Sequence, residues 1–162
     1  CIVMGASGGA AIALRMAIRY PQVVRAVIAD SCVETFTKEM AEKNVVQERK
    51  DPSTEQIQFW QYAHGPDWEQ VIAADTAMVL HFVESGGDWF HGRLNELRCP
   101  VLLTASRDDP FLAPVFPKVS KVAEQIPNCR LFVNNRGDHP LMWTAPQDFR
   151  AVSDYFLGTI EA

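Results

Sequence analysis

No apolar run in this sequence is long enough to cross a bilayer, which takes about 20 residues. It has no His and Cys cluster at ligand spacing and no glycine-rich phosphate loop followed by Lys, so no metal, nucleotide or flavin cofactor is expected. The cysteines Cys1, Cys32, Cys99 and Cys129 stand far apart and form no Cys-x-x-Cys pair. Free thiols in a reducing compartment, the cytoplasm, are expected rather than disulfides. Positive charge is in deficit, with a formal net charge of −5, which argues against nucleic acid or an anionic membrane as partner. The apolar start lacks the basic front end of a signal peptide, and Arg15 and Arg19 fall inside the next predicted helix. What remains is ordinary globular composition: 162 residues, 48% hydrophobic and 22% charged, enough for a sizeable core in a single domain.

The chain is organised around its first ten residues. Cys1 to Met4 is a short apolar run suited to a strand covered on both faces. It ends in Gly5-Ala6-Ser7-Gly8-Gly9, a Gly-x-Ser-x-Gly pattern that runs directly into a helix. A serine on a sharp strand-to-helix turn has a strained backbone, and glycines around it let strand and helix approach closely. Its hydroxyl is then presented above the carboxyl end of a sheet, at the positive end of a helix. The plain alternative is a glycine-rich turn carrying a surface serine.

Gly8 to Tyr20 has helical periodicity, with Ala11, Leu14 and Ile18 on one stripe, Arg15 and Arg19 opposite, and Pro21 as the stop. Val23 to Asp30 reads as the next strand, so the chain opens with a βαβ unit and parallel strands. From Ser31 to about Arg98 the pattern turns helical, with candidate helices over Glu34 to Glu48, Ser53 to Tyr62 and Asp67 to Val83. Ser53 is the expected N-cap of the second, with Gln56 three residues on. The insert carries Trp60, Trp68, Trp89, Phe59, Phe82 and Phe90; together these suggest a cap over a pocket, singly they fit a small core. Strand character returns at Pro100 to Ala105 and Arg130 to Val133, with helices at Val115 to Gln125 and Ala145 to Leu157. The alternation predicts an α/β three-layer sandwich with a core over 1–31 and 99–162 and a helical insert over 32–98.

In such sheets function collects beyond the carboxyl ends of strands, where Ser7, Asp109 and His139 each lie. A hydroxyl becomes a competent nucleophile when a neutral imidazole takes its proton and a buried carboxylate orients that imidazole. The chain order Ser, acid, His belongs to one of the folds that use this set. With these residues the sequence resembles the carboxyl-terminal part of an α/β-hydrolase, spanning strands five to eight and the cap between strands six and seven. The stretches Trp60-Gln61-Tyr62-Ala63-His64-Gly65-Pro66-Asp67-Trp68 and Leu97-Arg98-Cys99-Pro100-Val101 are similar to small-cap serine esterases of the valacyclovirase type. The resemblance implies Ser7 as nucleophile, Asp109 as orienting acid and His139 as base, with Gly8 donating a backbone N–H to the oxyanion hole. Asp109 ends a Gly-x-x-Asp-like turn whose Gly is Ser106 here.

Several alternatives stay open at this level. Asp108 adjoins Asp109, and Asp30 is a second possible orienter. His64, His81 and His91 lie in the predicted insert, where surface or core roles fit, and Asp138 suits loop capping. Phe111, Leu112, Trp143 and Met142 flank the site and Trp60 lies in the cap stretch; each serves as pocket lining or as core. The resembled family takes a second oxyanion donor from a loop after strand three, which has no counterpart here. Two expectations follow: the chain is part of a longer enzyme, or the strand at Cys1–Met4 pairs with a second copy in a homodimer. The expected function is hydrolysis of a small ester, thioester or amide through an acyl-enzyme. A non-catalytic binding domain and a carbon–carbon bond hydrolase are the competing readings.

Overall fold

The computed structural model describes residues 1–160. Along the chain, β1 (Ile2–Ala6) turns at Ser7 into α1 (Gly8–Arg19), and β2 (Ala26–Asp30) follows. A helical stretch comes next: α2 (Lys38–Ala41), a π-helical segment (Glu42–Gln47), α3 (Glu48–Lys50), α4 (Thr54–His64) and α5 (Trp68–Glu84). The sheet resumes with β3 (Val101–Ser106), then α6 (Val115–Gln125), β4 (Cys129–Asn134), α7 (Leu141–Thr144) and α8 (Pro146–Gly158). The chain divides into two compact units, one formed by Cys1–Glu34 with Trp89–Ala162 and the other by Thr35–Asp88.

The first unit is a parallel sheet in the order β1-β2-β3-β4. Register pairs Val27 with Val101 and Leu103 with Leu131. β2 and β3 are buried along their whole length, which accounts for their near-continuous apolar sequence. Alternate residues serve opposite layers. Val27, Ala29, Val101 and Leu103 pack with Ala10, Leu14 and Ala17 of α1 and with Val122 and Ile126. Ala26, Ile28 and Leu102 pack with Leu141, Phe149 and Phe156. The α/β sandwich is thus the observed architecture.

β1 is an edge strand, as the expected pairing of Cys1–Met4 with a second copy presupposes. It pairs with β2 alone among the described strands, and Ile2 and Met4 are 41% and 46% exposed. An apolar run signals strand, but only the sheet order decides whether both faces are covered. The segment after Asp88 differs from expectation: Trp89 packs against the core of the sheet-bearing unit, and Phe90, Leu94 and Leu97 are buried within it. Asp30-Ser31 lead out of the sheet, and Glu34 accepts the Trp89 N–H at 3.0 Å on its carbonyl as the chain returns.

Within the second unit, the helix predicted from Glu34 starts only at Lys38, capped by Thr37 Oγ1, which accepts the Met40 N–H at 3.2 Å. Residues 35–36 are held extended: Thr35 bridges Asp88, and Phe36 donates its N–H to the Gly87 carbonyl at 2.8 Å. A Cβ on Gly87 would overlap the Phe36 carbonyl oxygen. Ser53 caps α4 as predicted, accepting the Gln56 N–H at 3.2 Å. Arg49 ties α3 to α5 through Asp75 and Thr76, both at 2.7 Å. Trp60 stacks on Trp68 with ring centroids 5.8 Å apart.

The close approach expected at the Ser7 turn falls on one glycine. A Cβ on Gly5 would overlap the carbonyl oxygen of Gly9, whereas Gly8 and Gly9 have open space where a Cβ would stand. Gly5→Ala is therefore expected to lower stability by about 2 kcal/mol or more through forced strand–helix separation. Gly9→Ala is expected to be neutral or to stabilise by about 0.5–1 kcal/mol, since alanine suits a helix better. Urea unfolding of the two variants checks the contrast.

Candidate active site

The carboxyl ends of the parallel strands bring together Ser7, Asp30, Asp109 and His139. Ser7 follows β1 with φ 54° and ψ −123°. A side chain in this region costs about 1–3 kcal/mol and persists only where neighbours impose it. Here the Ser7 N–H is fixed on the Asp30 carbonyl at 2.8 Å, and the Ser7 carbonyl accepts from Ala10 at 3.0 Å as α1 begins. The side chain is left exposed at the head of the helix.

Asp109 and Asp108 are neighbours with opposite surroundings. Asp108 is exposed and paired with Arg107 at 3.2 Å. Asp109 is 0% exposed. Its Oδ1 accepts the N–H groups of Phe111 and Leu112 at 2.9 and 3.2 Å, and its Oδ2 lies 2.6 Å from His139 Nδ1. On the far side of the ring, His139 Nε2 lies 3.0 Å from Ser7 Oγ. An ionised carboxylate can only accept, so the Asp109 contact assigns the proton to Nδ1 and leaves Nε2 as an acceptor for the serine hydroxyl. The Phe111 ring lies against the imidazole, centroids 4.8 Å apart.

The loop that carries His139 is pinned from several sides. Ser106 Oγ donates to the Asp138 carbonyl at 2.7 Å, and Thr144 Oγ1 accepts the Asp138 N–H at 2.8 Å. Asp138 Oδ1 accepts the His139 N–H at 2.8 Å, a loop-capping contact. Gly137 has φ 91°, and a Cβ there would come within 3.0 Å of both Ser106 Oγ and Thr144 Oγ1. Only glycine meets both demands without strain.

The other residues singled out from sequence are placed as follows. Gly8 is the first residue of α1; its N–H belongs to the turn that has no preceding helical carbonyl to bond. Leu112 is buried and meets Asp109 through its backbone. Trp143 is 66% exposed on α7. Trp60 is buried in the second unit, where it lines a groove of about 600 Å³ with Trp68, Ile72 and Leu80. His64 and His81 are exposed on α4 and α5, while His91 falls in the sheet-bearing unit. The cysteines are free, and burial pushes the Cys32 thiol up to about 12. Among the described residues no group of three or more His, Cys, Asp or Glu could hold a metal ion, and no helix is long and apolar enough to cross a membrane.

No family model matches the chain. Over 64 residues it is 41% identical to a putative carbamate hydrolase RutD from a Caulobacter species, a match covering 40% of this chain and 23% of that protein. Solved structures match nearly end to end. A thermophilic esterase superposes with a TM-score of 0.68 at 20% identity, covering 99% of this chain and 66% of the esterase. An alpha/beta hydrolase enzyme from a Medee basin deep-sea metagenome library gives 0.67 at 17% identity, covering 98% and 66%. The chain has a partial α/β-hydrolase fold. A proline iminopeptidase of Mycobacterium smegmatis gives 0.62 at 20% identity, covering 98% and 65%. The chain thus spans just under two thirds of the length of each of these structures. In this fold Ser7 occupies the strand-to-helix turn after β1, and Asp109 and His139 follow β3 and β4.

Asp30 is a buried carboxyl beside these residues. Burial raises its pKa above the ordinary 3.8, against hydrogen bonds from Thr104 and Met142 that lower it. The native state therefore holds this proton more tightly than the unfolded chain. Where the unfolded state binds fewer protons, stability falls as pH rises. Asp30 contributes stability below about 3.8 that is lost as pH climbs through its raised native value. Asp30→Asn does not titrate, so its stability relative to wild type is expected to improve between pH 4 and pH 7. Urea unfolding of both proteins at the two pH values checks the direction.

Proposed function

We propose that the protein is a serine hydrolase that cleaves a small ester, thioester, amide or carbamate through an acyl-enzyme on Ser7. The reading rests on one observation above all: the unbroken contact from Ser7 Oγ to His139 at 3.0 Å and from His139 to buried Asp109 at 2.6 Å. The fold shared with the esterase and the other hydrolases supports it, and the segment matching a putative carbamate hydrolase adds carbamates to the carbonyl substrates.

As Ser7 Oγ attacks the substrate carbonyl, His139 Nε2 takes its proton, and Asp109 holds the imidazolium through Nδ1–H. The oxyanion that forms falls to the Gly8 N–H at the positive end of α1. Collapse of this intermediate breaks the bond to the leaving group, which departs with the proton from Nε2. Water then attacks the acyl-serine, giving its proton to His139, and release of the acid restores the Ser7 hydroxyl. Phe111 beside the imidazole and exposed Trp143 offer apolar surface to the acyl or leaving group.

Mass spectrometry after treatment with a fluorophosphonate tests this reading. The expected result is one adduct, on Ser7, absent in Ser7→Ala and much reduced in His139→Ala. Hydrolysis of a p-nitrophenyl ester is expected to fall by about 10³-fold or more in either variant, with circular dichroism unchanged. Well-folded wild-type protein that takes no label would instead favour a non-catalytic binding domain.

A further inference from the structure

Asp30 stands outside the Ser7–His139–Asp109 series yet bonds to Ser7 and to the start of α7, which follows His139. It closes β2 and is 0% exposed. Its backbone carbonyl accepts the Ser7 N–H at 2.8 Å, the contact that holds the serine in its left-handed turn. Its carboxylate faces the histidine loop. Oδ2 accepts the Met142 N–H at 2.9 Å, and Oδ1 accepts the Thr104 hydroxyl at 2.6 Å and the Ser31 hydroxyl at 3.4 Å. Ser31, itself at φ 55°, accepts the Leu141 N–H at 3.4 Å and donates its own N–H to the Thr104 carbonyl at 2.7 Å. The first residues of α7, starting two positions after His139, therefore hang from residues 30 and 31.

We propose that Asp30 is a positioning residue that sets the separation of the Ser7 hydroxyl and the His139 imidazole. The inference rests on the hydrolase reading of the site. Asp30 acts through its two attachments rather than by touching substrate. A backbone bond to one reacting residue and a side-chain bond to the loop of the other leave little freedom between them. Such freedom is costly, because a misplacement of about 1 Å between reacting groups loses on the order of 100-fold in rate.

Two substitutions test the attachment. Asp30→Asn keeps an acceptor for the Met142 N–H and can donate to Thr104, whose hydroxyl rotates; Asp30→Ala removes both contacts. Hydrolysis of a p-nitrophenyl ester is measured per active site counted by fluorophosphonate labelling. In Asp30→Ala kcat per labelled site is expected to fall on the order of 10–100-fold with KM little changed, and Asp30→Asn is expected to restore it to within about threefold of wild type. A merely structural aspartate would lower the labelled fraction or the melting temperature and leave the per-site kcat in place. A wild-type per-site kcat in Asp30→Ala overturns the proposal. Should wild-type protein neither label nor hydrolyse, the hydrolase reading fails separately, and hydrogen exchange of the Met142 amide then decides: protection lost in Asp30→Ala and kept in Asp30→Asn upholds the attachment, and protection unchanged in Asp30→Ala overturns it. If Asp30→Ala does not fold, Asp30→Ser, which removes the carboxylate but leaves a partner for Thr104, takes its place with the same expectations.

Discussion

The imidazole of His139 is held between a group that can only accept a proton and a group that can give one. Asp109, fully buried and already accepting two backbone N–H groups, fixes Nδ1. That leaves Nε2 one role toward Ser7 Oγ. Much of the sheet-bearing unit can be understood as the means of keeping these groups in register. Parallel pairing aligns the carboxyl ends of adjacent strands. Each strand end then delivers one polar group to the same edge, while β2 and the start of β3 below remain apolar on both faces.

Around that relay the local sequence pays in strain rather than in lost packing. Ser7 and Ser31 both take left-handed backbone geometry, and Gly137 takes it without penalty. Ser7 is anchored on the Asp30 backbone and Ser31 on that of Thr104, and beside Gly137 the Asp138 backbone is held by the hydroxyls of Ser106 and Thr144. The polar residues buried near the strand ends, Asp30, Thr104, Ser106 and Asp109, are thereby all partnered. A buried polar group without a partner is costly, and these form one connected set.

Much of the fold was legible in the sequence because its signals are local. Continuous apolar runs at β2 and β3, the stripe on α1 and the span of α6 all appear as short-range patterns, and the α/β sandwich follows from their alternation. The Gly-x-Ser-x-Gly turn was equally visible, although the steric need proved to lie at Gly5 and not at Gly8 or Gly9. What escaped depends on contacts distant in sequence. The late start of α2 is set by pairing of residues 35–36 with 87–88, and Phe90, Leu94 and Leu97 join the sheet core although they follow the helical insert. Asp109 and Asp108 could be ranked by motif position, but their separation by burial needed coordinates. For Asp30 the sequence offered a strand-end carboxylate and a second possible orienter of the imidazole; its links to Ser7 and to the start of α7 run between residues that no local pattern connects.

The central claim is that Asp109 fixes the proton of neutral His139 on Nδ1 and so leaves Nε2 facing the Ser7 hydroxyl. Nitrogen-15 NMR of the histidine rings above their titration range reads this directly. His139 is expected to carry its proton on Nδ1, protected from solvent exchange, with Asp109→Ala removing this preference and Asp108→Ala leaving it intact. A neutral His139 protonated mainly on Nε2, or one indifferent to Asp109→Ala, would contradict it.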